Sequence, residues 1–379
     1  MPTRATKRGA ARTPLRGDCD VLVCGASFAG LAVARALRGC GARVLVVDRY
    51  EVGERQTSAC GIPTVWLEAL GLGCALRQTF PELVVHSPHA SVRLTLPWSF
   101  STFDYRECCA ELQVRGDAEF ETATIAGREG DRVLTDRGEL RAPLVVDALG
   151  WRRVLDRGDN VQPPGAFLSR GLEVHPQGSG SDLEIWIDRA YVRAGYGWSF
   201  PAGDELRIGV GSFDPCDHVR DPTVRLARDL SADPVRYQGN WIPHKLRPAV
   251  HDGVAFVGDS AGHCLPLTAE GIRPALYFGL MLGAELRAVV AGRRSRAAAL
   301  ARYDGFHAAH LWHWTWMLRV QNLVPRVPPL LLAPALRAMA TRRLLDWAFT
   351  HYLEICHPRE VAGVLADSDV KPGATAAAA

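Results

Sequence analysis

Residues 20–49, DVLVCGASFAGLAVARALRGCGARVLVVDR, constrain the fold more than any other stretch. Residues 21–24 are apolar throughout and predict a short buried strand. Gly25, Ser27 and Gly30 occupy the three positions of a G-x-G-x-x-G turn, with serine in place of the middle glycine. Residues 31–37 supply an alanine-rich helix, and 43–47 a second strand that ends at Asp48. Gly25 permits the tight turn, and the small Ser27 lets the backbone approach a pyrophosphate. Gly30 lets helix and sheet pack closely, so that the helix N-terminus receives the phosphates. Asp48 lies 23 residues after Gly25, the reach of a carboxylate that accepts hydrogen bonds from a ribose. Strand, turn, helix, strand and terminal acid in that order predict dinucleotide binding. The plainer alternative is an α/β packing unit without a ligand.

A chain of 379 residues holds two modest domains or one large domain with an insertion, and 47% hydrophobic with 22% charged residues gives it a sizeable core. Residues 1–17 carry Arg4, Lys7, Arg8, Arg12 and Arg16 and no acid, against a net charge of only +3, so the rest of the chain is near neutral or slightly acidic. Residues 1–17 read as a disordered basic tail with at most weak attraction for anionic lipid. The body has no basic stripe with spaced aromatics, so nucleic acid is not an expected partner. No apolar signal segment precedes residue 21, and the ten cysteines form no C-x-x-C pair. A cytoplasmic protein with unpaired thiols is expected. No clean apolar run of 18 residues is present, so no spanning helix is expected.

Further along, 64–70 reads as a short helix, 83–86 and 91–96 as strands, 103–114 as a helix, and 120–126, 132–135 and 144–148 as strands. Leu183, Ile185 and Ile187 alternate with polar residues, as do Leu206, Ile208 and Val210, which predicts antiparallel sheet with unlike faces. A helix is expected over 222–231, a strand over 254–257 and a helix over 272–291, with Pro274 tolerated in its first turn. Residues 298–355 read as helical and aromatic. The fold class is therefore α/β: a Rossmann-like dinucleotide-binding domain with an inserted antiparallel β-sheet substrate domain and a C-terminal helical region. The expected boundaries are 18–82, 97–160 and 250–297 for the discontinuous nucleotide domain and 83–96 and 161–249 for the sheet domain. The helical region takes 298–365, and a second disordered tail 366–379.

The nucleotide pattern recurs in three pieces, 25–48, 144–150 and 254–262. A nicotinamide dehydrogenase completes its nucleotide domain in one block, and a two-dinucleotide reductase shows a second glycine fingerprint midway. Residues 165–171 are a poor candidate for that, because no apolar strand precedes them. One tightly held dinucleotide, wrapped by a chain that leaves and returns, fits FAD. Asp259 would reach its ribityl or pyrophosphate region. The helix after Gly271 would direct backbone N–H groups at the pyrimidine end of the flavin.

GASFAGL with VVDR, the GDSAGHCLP segment and the following AEGI resemble the FAD-dependent fold shared by aromatic hydroxylases, flavin halogenases and geranylgeranyl reductases. FDYRECCAEL resembles the hydroxylase pattern of an arginine opening a helix, here Arg106. GYGWSFP at 195–201 resembles the Y-x-W-x-F-P motif of the geranylgeranyl reductase branch, and Cys60-Gly61 falls where those reductases carry a cysteine–glycine pair facing the flavin. The likeness spans roughly residues 20–285. It implies FAD held by Gly25, Ser27, Gly30, Asp48, Arg49, Arg106, Asp259, Gly262, Gly271 and Ile272. It also implies an external reductant, NADPH or a small redox protein, and an isoprenoid or other long apolar substrate. The departures are Ser27, Ile62-Pro63 after Gly61, and Ala269 before Glu270-Gly271. Halogenases carry W-x-W-x-I-P, whereas here Tyr196 replaces its first tryptophan and Phe200 its isoleucine, and the halogenase lysine has no evident equivalent.

Saturating an isolated double bond requires a hydride on one carbon, a proton on its neighbour, and a dry pocket. Tyr196 and Trp198, two apart on a strand, would wall such a pocket, and Cys60 would place or donate the proton. The plainer readings are core aromatics and a buried inert thiol. Each isoprene unit brings about five carbons, and burial is worth about 0.8 kcal/mol per CH₂. The tryptophan-rich segment 312–334 reads equally as the mouth or a peripheral membrane ledge and as a core helix bundle. His307, His310 and His313 lack acidic or cysteine neighbours, so no metal is expected. The leading function is an FAD-dependent reductase of polyprenyl double bonds. Its main rival is an FAD-dependent monooxygenase, a hydroxylase or epoxidase acting on an aromatic or polyketide-like substrate through a flavin hydroperoxide. A third reading is a flavin-carrying protein with a structural or electron-relay role.

Overall fold

The computed structural model describes residues 13–15, 17–56, 58–156 and 168–369. Its helices are α1 (Phe28–Leu37), α2 (Thr64–Leu70), α3 (Tyr105–Gly116), α4 (Arg220–Asp229), α5 (Ile272–Val290), α6 (Arg296–Ala309), α7 (Leu311–Leu323), α8 (Pro329–Met339), α9 (Arg342–Glu354) and α10 (Ala362–Asp369).

Val21–Cys24 is the centre of a six-stranded sheet. It pairs in parallel with Val44–Asp48 on one side and Leu144–Asp147 on the other. Glu119–Thr122 and Val254–Phe256 extend the sheet in parallel, and Val250–His251 closes one edge antiparallel. Strands buried on both faces must be apolar throughout, which is why these four- and five-residue runs are so plain in the sequence. Helix α1 is buried along its whole length and lies against α5. A Cβ at Gly279 or Gly283 would fall 2.6 Å from Ala29 O or 2.8 Å from Val33 O, so glycine is what lets the two helices approach. A four-stranded sheet, ordered Gly17–Asp18, Gly138–Arg141, Arg132–Thr135, Ile125–Glu129, accompanies this unit. The stretch expected as one strand over 120–126 is two strands in two sheets.

The third sheet has eight strands, in the order Gln238–Pro243, Leu168–Val174, Glu205–Ser212, Gly195–Ala202, Leu183–Trp186, Leu76–Ser87, Ala90–Phe103, Gly61–Pro63. It is antiparallel except where Leu183–Trp186 runs parallel to Leu76–Ser87. The first hairpin is far longer than its sequence pattern predicts. Register shifts between Leu76 and Gln78 and between Phe80 and Glu82 break the alternation, and only the inner residues keep a strict period of two. Residues 76–82 and 97–103, expected in the nucleotide domain, therefore pair within this sheet.

One face of the sheet packs under α4, with Val174, Ile208, Val210 and Leu226 in a common core. The other face looks towards the Cys60 loop: Gly61 lies against the Phe200 ring. Residues 298–355 are helical, as expected. Ala366–Asp369, expected to fray, instead forms the last half of α10, where the buried Arg35 guanidinium bonds Asp369. Residues 1–12, 16 and 370–379 of the expected tails, and 165–167 of the glycine-rich run, lie outside the described residues. No described helix is long and apolar enough to cross a membrane.

Candidate active site

The fingerprint turn is built tightly. Gly25 has φ of 116°, and a Cβ there would lie 2.2 Å from Ala148 O. A Cβ at Gly30 would lie 1.9 Å from Gly25 O. Ser27 is the N-cap of α1, yet its side chain makes no cap bond; Tyr105 donates its hydroxyl to Ser27 Oγ at 3.1 Å. The first-turn N–H groups of α1 are thus left facing the end of the sheet. Asp48 Oδ2 accepts the Ala26 N–H at 2.8 Å and Oδ1 accepts that of Tyr50 at 3.0 Å. The carboxylate therefore ties the turn to its strand, and burial pushes its pKa up against these bonds. Arg49 is exposed and lies over the Tyr50 ring. Arg106 is the second residue of α3; its Cα lies 2.8 Å from where a Gly53 Cβ would be, and its side chain is exposed beside this crevice.

The 258–262 turn returns to the same end of the sheet. Ser260 donates to Asp147 Oδ1 at 2.6 Å and Asp147 Oδ2 accepts the Leu155 N–H at 2.8 Å, so a fully buried carboxylate clamps two chain segments 113 residues apart. Gly258 and Gly262 take φ of 67° and 73°, and Gly258 abuts Ala29 of α1. Among the described residues the Asp259 carboxylate has no hydrogen-bond or ion-pair partner, and burial alone pushes its pKa up to about 6. It lies 3.8 Å from the Cβ position of Gly271, the N-cap of α5, with Ile272 the first helical residue. The structure thus brings the 25–30 turn, Asp259 and the start of α5 together.

Tyr196 and Trp198 project from one face of Gly195–Ala202, with ring centroids 6.0 Å apart. Tyr196 donates to Thr268 O at 2.5 Å, in the loop before Gly271. Trp198 Nε1 donates to Glu173 Oε2 at 3.1 Å. Gln238 Nε2 bonds the other Glu173 oxygen and reaches Ser58 O at 3.3 Å. Ser58 O also accepts the Cys60 thiol at 3.2 Å. Cys60 is completely buried, with φ of 54°, in the left-handed region that non-glycine residues avoid. Burial pushes its thiol pKa well up, so Sγ holds its proton across the neutral range.

Sequence reading missed the polar groups that hold this arrangement. Arg207 donates to Ala59 O at 2.8 Å and Phe103 O at 3.0 Å, bracketing the Cys60 loop, and pairs with Glu205. His175 lies between Glu173 and Glu205, at 2.9 and 3.2 Å. The one available signal was a lone arginine inside the ELRIGVG strand. Behind the loop at 267–270, Glu270 pairs with the buried Arg273, and Tyr352 of α9 bonds Thr268 and Glu270. His263 and His307 form a buried pair, Nε2 to Nδ1 at 2.9 Å, with His263 stacked on Phe278. Burial pushes both imidazoles down.

No family model matches the chain. Digeranylgeranylglycerophospholipid reductase 3 of Methanosphaera stadtmanae is 23% identical over 340 residues, covering 78% of this chain and 83% of that protein. A geranylgeranyl bacteriochlorophyll reductase-like protein from Thermoplasma acidophilum superposes with a TM-score of 0.77 at 16% identity, covering 93% of this chain and 99% of that one. The anhydrotetracycline hydroxylase OxyS of Streptomyces rimosus superposes with a TM-score of 0.59 at 20% identity, covering 93% of this chain and 77% of that one. The solved structures show a shared two-domain fold with mixed β-sheets and a C-terminal helical region. By sequence the chain is similar to digeranylgeranylglycerophospholipid reductases, and by fold to the solved geranylgeranyl bacteriochlorophyll reductase-like protein and to the solved hydroxylase.

Proposed function

We propose that this chain is an FAD-dependent oxidoreductase that reduces isolated carbon–carbon double bonds of a polyprenyl chain of geranylgeranyl type. The observation that carries the reading is the hydrogen-bonded link from Trp198, beside Tyr196, through Glu173 and Gln238 to Ser58 and the buried Cys60. The likeness to digeranylgeranylglycerophospholipid reductases supports it.

The residues present fit the cofactor. The cradle of Gly25, Ser27 and Gly30 is free of side-chain bulk at the N-terminus of α1, and Asp259 is a carboxylate in need of donors such as the ribityl hydroxyls. Asp48 and Arg49 would hold the adenosine side, Arg106 would flank the crevice, and Gly262, Gly271 and Ile272 would offer backbone at the flavin end. When bound and reduced by NADPH or a small redox protein, FAD supplies the hydride. The aromatic pair Tyr196 and Trp198 would orient an apolar chain and exclude water. Cys60 would hold the second hydrogen as a proton at Sγ, for the alkene carbon next to the one that receives hydride. Arg207 and Glu173 are positioning residues that hold the thiol loop and the indole. Peripheral contact with a membrane suits an enzyme whose substrate is a lipid.

The test is anaerobic: reduce the FAD-loaded protein and add a geranylgeranyl lipid. Flavin reoxidation without oxygen, with a gain of two hydrogens in the product, is the expected result. Oxygen-dependent incorporation of an oxygen atom overturns it in favour of a monooxygenase.

A further inference from the structure

We propose that the outer face of α7 and the start of α8 is a docking surface for an anionic phospholipid bilayer. The inner face of α7 is fully employed. Trp314 Nε1 donates to Gly262 O and Cys264 O at 3.1 and 2.9 Å, and Gln321 accepts the Leu267 N–H at 2.7 Å. These contacts brace the loop that Tyr196 also bonds. The outer face has no such employment. Trp312, Trp316, Arg319 and Leu323 follow one another at steps of four, three and four residues, which places them along one side of the helix. Trp312 and Trp316 are 60% and 53% exposed, and Leu330 and Leu331, at the start of α8, are 75% and 55% exposed. Trp312, Trp316 and Arg319 line one open groove, and large aromatic side chains left bare in this way mark an interaction surface rather than ordinary solvent-facing helix.

Charge decides what covers this face. Residues 305–345 contain five arginines and no aspartate or glutamate. Arg319, Arg326, Arg337, Arg342 and Arg343 are all exposed, and only Arg342 has an acidic neighbour, Asp346 at 3.7 Å, among the described residues. A second copy of the chain docking by the same face would set arginines against arginines. An anionic lipid surface instead complements the arginines, while tryptophan settles at the level of the headgroups and leucine below it. A polyprenyl lipid would then reach the site beneath the same helix without crossing water. The inference rests on the reductase reading for that purpose only, and on the exposed face for its geometry.

The experiment uses the full-length protein and vesicles of phosphatidylcholine, alone or mixed with phosphatidylglycerol. The expected result is co-sedimentation with the mixed vesicles, weakened by added salt, and little with phosphatidylcholine alone. W312S/W316S and, separately, R319Q/R326Q should each weaken binding roughly tenfold or more, at unchanged melting temperature and unchanged turnover of a short, water-soluble prenyl substrate. Failure to bind mixed vesicles overturns the proposal, as does binding that neither double substitution weakens. A concentration-dependent dimer that W312S/W316S abolishes, without vesicle binding, overturns it in favour of a second copy. Vesicle binding by a protein that reduces no alkene would sink the reductase reading and leave the docking surface standing.

Discussion

Trp198 lies across Gly209, its partner on the neighbouring strand, so closely that a Cβ at position 209 would sit 2.2 Å from the indole Cζ2. The same Cβ would lie 2.7 Å from Leu172 O, so neither the ring nor the strand beside it can give way cheaply. Gly209→Ala should therefore tilt the indole out of place and break its bond to Glu173. A stability loss of about 1–3 kcal/mol is expected for such overpacking. Denaturant unfolding measures it. A variant of wild-type stability would mean that the indole has room the structure does not show.

His175 links stability to alkaline pH. Burial opposes its charge, but the hydrogen bonds and charges of Glu173 and Glu205 more than reverse this, and its pKa rises to about 9. A histidine titrates near 6.5 when unfolded, so its contribution is complete below that value and is lost as pH climbs through about 9. The contribution is on the order of 3 kcal/mol at most. The melting temperature should fall between pH 6.5 and 9.5, and His175→Gln should flatten that fall. A wild-type melting temperature that stays level across this interval would contradict it.

Asp259 makes cofactor affinity depend on pH in the opposite sense. Its carboxyl has been pushed up to about 6 by burial without a partner. Hydroxyl donors of a bound FAD favour the ionised form, so binding must expel a proton below pH 6 and need not do so above it. FAD should bind more tightly as pH rises from 5 to 7, read from flavin fluorescence at equilibrium. Asp259→Asn should abolish that dependence and weaken binding by roughly ten- to hundredfold, the worth of a hydrogen bond to a charged group.

The elements legible in the sequence are those whose pattern is local. Val21–Cys24, Val44–Asp48 and Thr64–Leu70 are each set by a continuous apolar run or a helical period, and the chain shows them within a residue or so. Tyr196 and Trp198 are legible for the same reason, since two positions apart on a strand means one face. The long hairpin over 76–103 is not, because bulges at its base interrupt the alternation that marks a strand. The polar framework is hidden for a different reason. Asp147 meets Ser260 across 113 residues, and Arg207 reaches Ala59 across 148, and neither spacing leaves a trace in composition or period. Arg207 lies opposite the apolar set Leu206, Ile208 and Val210, where a solvent-facing side chain is the ordinary expectation. It is buried because that second face also has a partner, the Cys60 loop.

Cys60 is held in a conformation that glycine would adopt with less strain. A φ of 54° costs a residue with a Cβ roughly 1 kcal/mol. The chain nevertheless places a thiol there, buried among Ile62, Phe103 and Tyr105, with its proton on the Ser58 carbonyl. Cys60→Gly relieves the strain and loses a small buried side chain, two effects of opposite sign and similar size, so stability should change by less than about 1 kcal/mol. Turnover should respond quite differently. A positioned proton donor contributes about a hundredfold or more, so Cys60→Gly should lose that much in kcat for alkene reduction while binding FAD as the wild type does. Cys60→Ser, which keeps a proton on the same arm, should recover part of the rate. Full turnover by Cys60→Gly would show the thiol to be a packing residue and move the proton source elsewhere. Equal losses in Cys60→Gly and Cys60→Ser, with a matching fall in FAD affinity, would instead assign Cys60 to the shape of the loop that Arg207 brackets.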